Sequence, residues 1–410
     1  MRRSSFVAEP APAPRPAEAP VAPGPVRVMM IVERLYALGG AQQQALRLSR
    51  ALEEHGVRSS IVTGRWRRAE PRRAELEGVP VTAVFTAFKG FHVKGLRKFG
   101  VYLYMVNLFL HLLLRRREFD VIHVHSATVS ALVAAFAGRK LGKPVVMKVM
   151  ASGQWGDFKR MRSGEVLAGA RRLMRRLLDV DRVVCLNRQV ADECLEEGFV
   201  EEQLFPVPNG FPIDGVAARD SYPDRDELEV VFSGRLDPQK NPDLLLEASA
   251  LAMAVPGAPR MRVRFLGDGP LASSLEERAR ALGLEDRVRF LGRVNDVPRH
   301  LAEADIFVLP SLSEGISNAL LEALAHGVPA IATDIPGNRD LIEDGRTGIL
   351  VPSGDAPALS GALLRLAVDR ALRQALGRGG RHLVEDRFDL RKVAGLYAEM
   401  YREIVQSARA

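Results

Sequence analysis

Short apolar runs alternate with helix-patterned segments along the chain from residue 26 onward. The segment AQQQALRLSRALEEHG repeats apolar positions at helical spacing and ends at Gly56, a candidate C-cap, so it predicts an amphipathic helix. Strands separated by helices in this order predict a parallel sheet that is covered on both faces. The runs that predict strands are RVMMIVE, RSSIVTG, DVIHVH, PVVMKVM and DRVVCL.

A second series of the same kind begins after the segment VPNG at 207–210. We therefore predict a second Rossmann-like sheet, which places 26–212 in an N-terminal domain and 213–387 in a C-terminal domain. The closing helix at 388–410 has no strand after it, and the Pro- and Ala-rich tract at 1–25 is expected to be disordered. The strand runs of the second series are LEVVFSG, RVRFLG, DRVRFLG, DIFVLP, VPAIAT and TGILVP.

One long apolar stretch, Val101–Leu114, is compatible with a core helix or with a membrane segment. It contains Asn107 and His111 and falls short of the roughly 20 apolar residues that a membrane-spanning helix takes. We therefore expect a helix that packs on the sheet just before the strand DVIHVH.

The net charge of +8 is unevenly distributed along the chain. Residues 1–213 carry a balance of +13, and the rest of the chain carries −5. This asymmetry predicts that the first half faces an anionic surface, either nucleic acid or acidic lipid. Aromatic residues are not interleaved with the basic runs and no nucleic-acid-binding motif is present, so we expect no nucleic-acid partner.

The cysteines and the first residues bear on the cellular compartment. Cys185 lies in the apolar run VVCL and Cys194 on a polar helical stretch, and neither has the spacing of a metal site or a redox motif. Both are expected to be structural, with no disulfide or zinc site. The opening residues MRRSSFVAEP lack the apolar core of a secretory signal, so a cytoplasmic location is expected.

The segment PSLSEGISNALLEALAHGVP carries the strongest candidate chemistry in the chain. Ser317 is a good N-cap for a helix over 318–325, and the backbone N–H groups of the preceding turn would then favour an anion such as a diphosphate. Glu314 lies in the loop before this helix, and Glu322 lies about one turn inside it, where it could accept two ribose hydroxyl hydrogen bonds. The alternative is a capped surface helix with ordinary charges. The candidate donor-binding residues at the helix start are Gly315, Ile316, Ser317 and Asn318.

The segment FSGRLDPQKN predicts a strand, a turn at Gly234, and two cations on one loop. Arg235 can bind a diphosphate with two hydrogen bonds, and Lys240 adds a point charge. A solvated basic loop is the alternative. In the first domain, Gly39 and Gly40 open a helix and could let the backbone approach a phosphate. FLGDGP at 265–270 is a similar glycine turn after a strand in the second series. A full G-x-G-x-x-G is absent there and at Gly39–Gly40, which argues against a dinucleotide oxidoreductase.

The strand VIHVHS carries His123 and His125 on one face. No third metal ligand is evident, so both are expected to be satisfied histidines rather than metal ligands. His125 lies nearer the carboxyl end of the strand, where ligands of open α/β sheets bind, and it is either buried structure or a substrate contact. The D-x-D patterns at 179–181 and 224–226 sit in charged turns and are interpreted as solvated carboxylates.

The joint order of several weak motifs resembles the retaining glycosyltransferases of family 4, which have the GT-B fold. The motifs are SGRL…K at 233–240, GDGP at 267–270, EGISNALLE at 314–322, GGA at 39–41, IHVHS at 122–126 and VPNG at 207–210. The resemblance covers nearly the whole chain after residue 26. It implies an α/β fold of two Rossmann-like domains that face each other across a cleft, with a C-terminal helix that crosses back to the first domain.

The same resemblance implies roles for the candidate residues. Arg235 and Lys240 would bind the donor diphosphate and make a bound metal unnecessary. Glu322 would bind the ribose, and Glu314 and His125 would face the donor sugar. Further implied donor contacts are Gly40 near the diphosphate, with Asp268, Arg293 and Val294 near the base.

Two positions depart from the family pattern. Gln42 stands where a glutamate usually follows Gly-Gly-Ala, and PNG is followed by FPID at 211–214 rather than by a valine and an aspartate. These departures concern acceptor contacts and the linkage between the domains.

Together these features predict transfer of a sugar from a nucleoside-diphosphate sugar, with UDP as the first choice, to a hydroxyl of a glycan or lipid-linked acceptor with retention of configuration. A nucleotide-sugar epimerase of the same fold and a non-catalytic nucleotide- or glycan-binding subunit are the alternatives. The basic runs Lys159–Arg162, Arg171–Arg176 and Arg115–Arg117 predict peripheral association with an anionic membrane on the inner face of the cell, and a merely soluble basic face is the alternative.

Overall fold

The computed structural model describes residues 24–409 with the exception of 38, 87–98, 164–169, 218, 220 and 224. The predicted disordered tail at 1–25 lies almost entirely outside these residues. The chain divides into two compact units, the first formed by Met1–Gly210 with Leu390–Ala410 and the second by Phe211–Asp389.

The first unit is built on an eight-stranded sheet with the order β3-β4-β2-β1-β5-β6-β7-β8. Every strand pair is parallel except β3 with β4. Because both faces of the sheet are covered, successive residues of one strand enter different cores: Val28 and Met30 pack in one, Met29 and Ile31 in the other. The strands are β1 Val26–Ile31, β2 Val57–Arg65, β3 Arg73–Leu76, β4 Val79–Phe85, β5 Val121–Val124, β6 Val145–Val149, β7 Arg182–Cys185 and β8 Leu204–Pro206.

Helices cover this sheet, and two of them begin or end at residues typical of helix caps. The helix that precedes β6 ends at Gly142, which adopts the left-handed conformation with φ 61°. Asn187 caps the helix after β7, since its side chain accepts a hydrogen bond from the backbone N–H of Val190 at 2.8 Å. The α-helices are α1 Gly40–Glu54, α2 Phe99–Leu114, α3 Val129–Leu141, α4 Asp157–Arg162, α5 Ala170–Leu173 and α6 Arg188–Glu196.

The apolar stretch Val101–Leu114 forms most of α2, as predicted. Tyr104, Leu108 and Leu112 are fully buried in the first unit's core. Among the residues that the structure describes, none of the helices combines the length and the apolar character that crossing a bilayer requires.

The second unit is built on a six-stranded, fully parallel sheet with the order β11-β10-β9-β12-β13-β14. The predicted second Rossmann-like sheet is confirmed. Its central strand β9 pairs with β10 on one side and with β12 on the other, so the loops that follow β9, β10 and β12 leave the same edge of the sheet. The strands are β9 Glu227–Ser233, β10 Arg260–Leu266, β11 Val288–Phe290, β12 Ile306–Leu309, β13 Ala330–Thr333 and β14 Ile349–Val351.

Three helices of the second unit begin at an aspartate cap. The carboxylates of Asp296, Asp355 and Asp369 each accept a hydrogen bond from a first-turn backbone N–H, which satisfies an otherwise unpaired donor. The helices are α7 Pro242–Met253, α8 Ala272–Ala281, α9 Val297–Glu303, α10 Asn318–Ala325, α11 Pro336–Arg339, α12 Ala356–Val368 and α13 Arg370–Arg387.

The closing helix α14, Leu390–Arg409, belongs to the first unit, as the predicted fold requires. It packs against α1 and buries the rings of Tyr397 and Tyr401 in the first unit's core. Gly210 lets the start of α14 come close to the backbone, since a Cβ atom at Gly210 would lie 2.8 Å from the Cα of Leu390.

Candidate active site

The loop after β9 carries the two predicted cations of the second unit. The Asp237 carboxylate shapes this loop, because it accepts a hydrogen bond from the Lys240 backbone N–H at 3.0 Å and lies 3.4 Å from the Nε of Arg235. The Arg235 side chain is 75% exposed. Its guanidinium is therefore presented to solvent at the carboxyl end of the sheet, where an anionic ligand can reach it.

Lys240 and Glu314, which are 74 residues apart, form an ion pair. The Lys240 Nζ lies 2.5 Å from the Glu314 Oε1, and the Ser311 hydroxyl donates to the same carboxylate oxygen at 2.6 Å. Glu314 is only 7% exposed. A charge-assisted pair of this kind fixes the position of both side chains, and the ammonium retains two further N–H donors for a ligand.

Two hydrogen bonds to backbone carbonyls hold the loops after β9 and β12 together. The side chain of Gln239 donates to the Ser313 carbonyl at 3.0 Å, and the Leu312 N–H donates to the Gln239 carbonyl at 2.8 Å. The two loops therefore form one platform, which brings the predicted residues Arg235, Lys240 and Glu314 into one part of the second unit.

The helix α10 begins next to this platform, as predicted. The Ser317 hydroxyl accepts a hydrogen bond from the Leu320 N–H, and Ile316 and Ser317 are buried. Glu322 lies one turn inside the helix and is half-buried. The helix N-terminus thus sits beside the Lys240–Glu314 pair, where its dipole adds positive potential.

Two glycines of the GDGP turn after β10 pack directly on the loop after β9, which carries Arg235 and Lys240. Gly267 has φ +141°, and a Cβ atom there would lie 1.8 Å from the Gly234 carbonyl oxygen. A Cβ atom at Gly269 would lie 2.3 Å from the Leu236 carbonyl oxygen. Both positions therefore need glycine for steric reasons, which explains a motif that was weak on sequence alone.

The predicted base contacts lie on the same side of the sheet. Asp268 is exposed within the turn, and its carboxylate accepts the Gly269 N–H at 2.7 Å. The Gly267 N–H donates to the Gly292 carbonyl at 2.7 Å. This bond places the segment that follows Gly292, which contains Arg293 and Val294, next to the GDGP turn.

Gly337 was not predicted as a site residue, but it packs against the part of the platform that follows β12. A Cβ atom at Gly337 would lie 2.3 Å from the Gly315 carbonyl oxygen and 2.5 Å from that of Glu314. The local signal was the Pro-Gly pair that opens α11 just after β13. That pair predicts a turn but does not reveal which distant backbone the turn approaches.

In the first unit, Gly39 is the N-cap of α1, as expected for the Gly-Gly pair. The Gln42 side chain closes this helix end: its oxygen accepts the Gly39 N–H at 3.0 Å, and its nitrogen donates to the Arg34 carbonyl at 3.2 Å. The departure from glutamate at position 42 therefore preserves a capping contact, and Gly40 is the first residue of the helix.

His125 follows β5 directly and is 6% exposed. Its backbone N–H donates to the Ile31 carbonyl at 3.0 Å, and its ring lies 4.3 Å from that of His123. Burial, followed by the nearby Lys148 ammonium, lowers the pKa of His125 to about 3, so the imidazole is neutral at pH 7. Within the described parts of the chain, neither its Nε2 nor that of His123 has a hydrogen-bond partner, so the expectation that both histidines are satisfied is wrong.

A buried polar cluster surrounds the two histidines and was not predicted. The Tyr401 hydroxyl lies 2.7 Å from the His123 Nδ1, and the Lys148 Nζ donates to the Asn209 side-chain oxygen at 2.7 Å. Desolvation lowers the pKa of Lys148 to about 7. The available signal was a single lysine inside the apolar run PVVMKVM, since a charge in a buried strand needs a partner.

The described residues contain no group of three or more His, Cys, Asp or Glu side chains that is placed to hold a metal ion. The predicted carboxylate pattern at 179–181 lies in a charged turn, where Asp179 is 3.7 Å from Arg139 and 3.9 Å from Arg176. The pattern at 224–226 lies partly outside the described residues.

Two Rossmann-like sheets, with a last helix that returns to the first unit, define the GT-B fold class. Solved structures share this architecture. Anabaena HepE, determined in complex with UDP and glucose, is 20% identical and has a TM-score of 0.72 over 92% of this chain and 100% of its own. Sucrose-phosphate synthase from Thermosynechococcus elongatus is 20% identical, with a TM-score of 0.76 over 93% of this chain and 100% of its own. The predicted fold is confirmed.

Family models match both units of the chain. Residues 39–210 match the Glycosyl transferase 4-like domain, and residues 227–369 match Glycosyl transferases group 1. Together the two models match well over half of the sequence, and the protein belongs to the glycosyltransferases of family 4. The family inferred from the motifs is therefore confirmed, and the chain is a glycosyltransferase.

Two curated relatives of the chain have a lipid acceptor in their names. The UDP-Gal:alpha-D-GlcNAc-diphosphoundecaprenol alpha-1,3-galactosyltransferase of Escherichia coli is 27% identical over 72% of this chain and 78% of its own length. The phosphatidyl-myo-inositol mannosyltransferase of Mycobacterium leprae is 29% identical over 71% of this chain and 75% of its own length.

Proposed function

We propose that the protein transfers a sugar from a nucleoside-diphosphate sugar, with UDP as the first choice, to a hydroxyl of a glycan or lipid-linked acceptor with retention of configuration. The observation that carries this proposal is the platform in the second unit, where the Lys240–Glu314 pair lies beside the exposed Arg235 and the N-terminus of α10. The names of two relatives support a lipid-linked acceptor, and the complex of HepE with UDP supports UDP as the donor nucleotide.

The proposed chemistry follows from the charges on this platform. The bond between the anomeric carbon and the diphosphate oxygen breaks, and a bond from the acceptor oxygen to the same carbon forms on the same face. Negative charge develops on the leaving diphosphate, where Arg235, Lys240 and the helix dipole stabilise it. A diphosphate oxygen takes the acceptor's proton, so the charges balance without a bound metal.

The remaining candidates take supporting roles in this proposal. Glu322 binds the ribose hydroxyls, and Glu314 contacts the donor sugar while it fixes Lys240. The neutral imidazole of His125 contacts the donor sugar through its Nε2. Backbone groups near Gly40 and Gly315 approach the diphosphate, and Asp268 with 293–294 lies at the base.

Substitution of the cations tests the leaving-group role. Arg235→Ala and Lys240→Ala should each lower kcat/KM by about 100-fold or more, because each removes charge stabilisation that is strongest in the transition state. Arg260→Ala, at an exposed position at the start of β10, is the matched control and should retain activity. Full turnover by the Arg235 or Lys240 variant would refute the assignment.

Measurements of binding and turnover separate the proposed transferase from an epimerase and from a non-catalytic subunit. Nucleotide sugars are first screened by thermal shift, and turnover is then followed with and without acceptor in the presence of EDTA. Conversion of the donor without acceptor would indicate an epimerase, binding without turnover would indicate a non-catalytic subunit, and loss of activity in EDTA would contradict the metal-independent mechanism. NMR of the product's anomeric proton tests retention.

We also propose that the basic runs of the first unit hold the enzyme peripherally on the inner face of an anionic membrane. The runs Lys159–Arg162, Arg171–Arg176 and Arg115–Arg117 all lie in that unit. Each surface cation near an anionic bilayer contributes about 1 kcal/mol, and the attraction weakens with salt. Flotation that shows no salt-sensitive binding to anionic liposomes would contradict this proposal.

A further inference from the structure

The helix α2 is apolar on two opposite faces. Tyr104, Leu108 and Leu112 are fully buried, whereas the positions offset from them by two residues point away from the core. Because two residues correspond to about 200° of helical rotation, these positions form the opposite side of the helix. This outward face consists of Tyr102, Val106, Leu110 and Leu114, which are 43%, 56%, 44% and 78% exposed.

A surface helix of a soluble domain carries polar residues on its outer side, and an all-apolar helix is normally covered. The outward face continues into a groove of about 670 Å³ that α2, α3 and the segment around α5 enclose. Phe136 and Leu173 line this groove and are themselves 53% and 41% exposed. The outward face and the groove thus form one continuous apolar surface on the first unit.

Cations border this apolar surface and are frequent in the segments next to it. The segments 115–118, 139–140 and 170–179 contain nine Lys and Arg residues and two acidic residues, Glu118 and Asp179. Arg139 and Arg176 lie in the groove wall with exposures of 68% and 65%, and the Lys140 Nζ lies 6.0 Å from the Phe136 ring centroid. An apolar centre with a cationic rim matches an interface of acyl chains and anionic headgroups.

We propose that this surface inserts into an anionic lipid bilayer, with the outward face of α2 lying in the plane of the interface. The inference rests on the proposed peripheral membrane association and adds to it the element that enters the lipid. A second copy of this chain fits less well, because a two-fold interface would bring the two cationic rims together. The outward face then penetrates about 5–10 Å, to the boundary of headgroups and acyl chains.

Vesicle flotation with charge-matched variants tests the insertion. The wild type should float with vesicles of phosphatidylcholine and phosphatidylglycerol, and far less with phosphatidylcholine alone. Leu110→Glu keeps every arginine but places a carboxylate in the outward face, and we expect its partitioning to fall at least about tenfold. Val368→Glu, at a 70% exposed position on α12 of the second unit, is the matched control and should float like the wild type.

A second readout measures insertion directly. Phe136→Trp places a fluorophore in the groove, and brominated lipids should quench its added emission when anionic vesicles are present. Leu110→Glu should abolish this quenching and retain transfer to a water-soluble acceptor.

The results of these experiments distinguish failure of the insertion from failure of the proposed membrane association or of the proposed sugar transfer. Salt-sensitive flotation that Leu110→Glu leaves unchanged, or an unquenched Phe136→Trp, would overturn the insertion and leave electrostatic association intact. A wild-type mass twice that of Leu110→Glu by light scattering would assign the surface to a second copy and overturn the inference. Sugar transfer to the soluble acceptor reports on the transferase proposal in either case.

Discussion

His125 shows how strongly burial controls the chemistry of a single residue. Its imidazole ring lies 4.3 Å from the tilted ring of His123 and interacts electrostatically with Lys148 inside the first unit, and all three groups have lowered pKa values. Since the charged form of each group is disfavoured, a neutral His125 can offer its Nε2 to a sugar hydroxyl but cannot act as a cation at neutral pH.

The pH dependence of stability provides a test at this scale. The folded-state pKa of His125, about 3, is below the unfolded value near 6.5, so between these values the unfolded chain binds a proton that the folded chain does not. Stability therefore rises with pH across this window and is lost as pH falls below about 6.5. His123 contributes with the same sign.

The size of the effect can be measured with His125→Asn, which removes the titrating ring. From pH 7 to pH 5 the wild type should lose about 2 kcal/mol more of its free energy of unfolding than the variant, by urea denaturation at each pH. His382→Asn, on an exposed part of α13, should parallel the wild type. Equal losses in wild type and His125→Asn would contradict the assigned environment.

At the scale of elements, the candidate site is a stack of loops rather than one motif. The loops after β9 and β12 share hydrogen bonds, the GDGP turn after β10 packs against the first, and the start of α11 packs against the second. The close backbone approaches at Gly267 and Gly337 limit how far these loops can move, and we expect this rigidity to help position Lys240 and Glu314 before a ligand binds.

Gly337→Ala tests this rigidity without removing a proposed ligand-binding side chain. A methyl group would meet the backbone of Glu314 and Gly315, so the platform must shift, and we expect kcat/KM to fall about tenfold or more with a stability loss of about 1–3 kcal/mol. The measurements are steady-state kinetics and thermal unfolding.

Gly361→Ala is the matched control for this substitution. Gly361 lies on the exposed side of α12, and a methyl group there would meet no atom outside its own helix within 4 Å. Alanine should therefore leave activity unchanged and raise stability by up to about 1 kcal/mol. Unchanged activity in Gly337→Ala would show that the platform tolerates movement.

At the scale of the whole molecule, the end of the chain completes the unit with which the chain begins. The helix α14 supplies Tyr397, Met400, Tyr401 and Ile404 to the core that also contains β1 and α1. Each fully buried side chain of this size contributes about 1.5–3 kcal/mol, and their sum is comparable to the stability of a whole domain. The first unit therefore depends on residues nearly 200 positions away from Gly210.

Truncation after Asp389 should consequently unfold the first unit while the second unit, Phe211–Asp389, retains its own core. Limited proteolysis should degrade the N-terminal part and leave a protected fragment of the second unit, and mass spectrometry identifies it. Truncation after Val405 removes only exposed residues of α14 and should leave both units protected. A protected first unit without α14 would show that its remaining core suffices.

The sequence by itself determined the order of the elements, the two Rossmann-like sheets and the family. These depend on local information, since strand and helix periodicity, caps such as Ser317, and short motifs such as GDGP are encoded within a few neighbouring residues. It also supplied the candidate residues whose catalytic and binding roles remain predictions.

Only the tertiary structure decided which distant groups meet. The order of strands in the sheet makes β12 the neighbour of both β9 and β13. The first adjacency creates the Lys240–Glu314 pair, and the second brings Gly337 against the backbone of Gly315. In the same way, the hydrogen bond between Tyr401 and His123 joins residues 278 positions apart. The packing of α2 on the core leaves its second apolar face exposed. Periodicity identifies which positions of an element are apolar, but only packing decides which of its faces is covered.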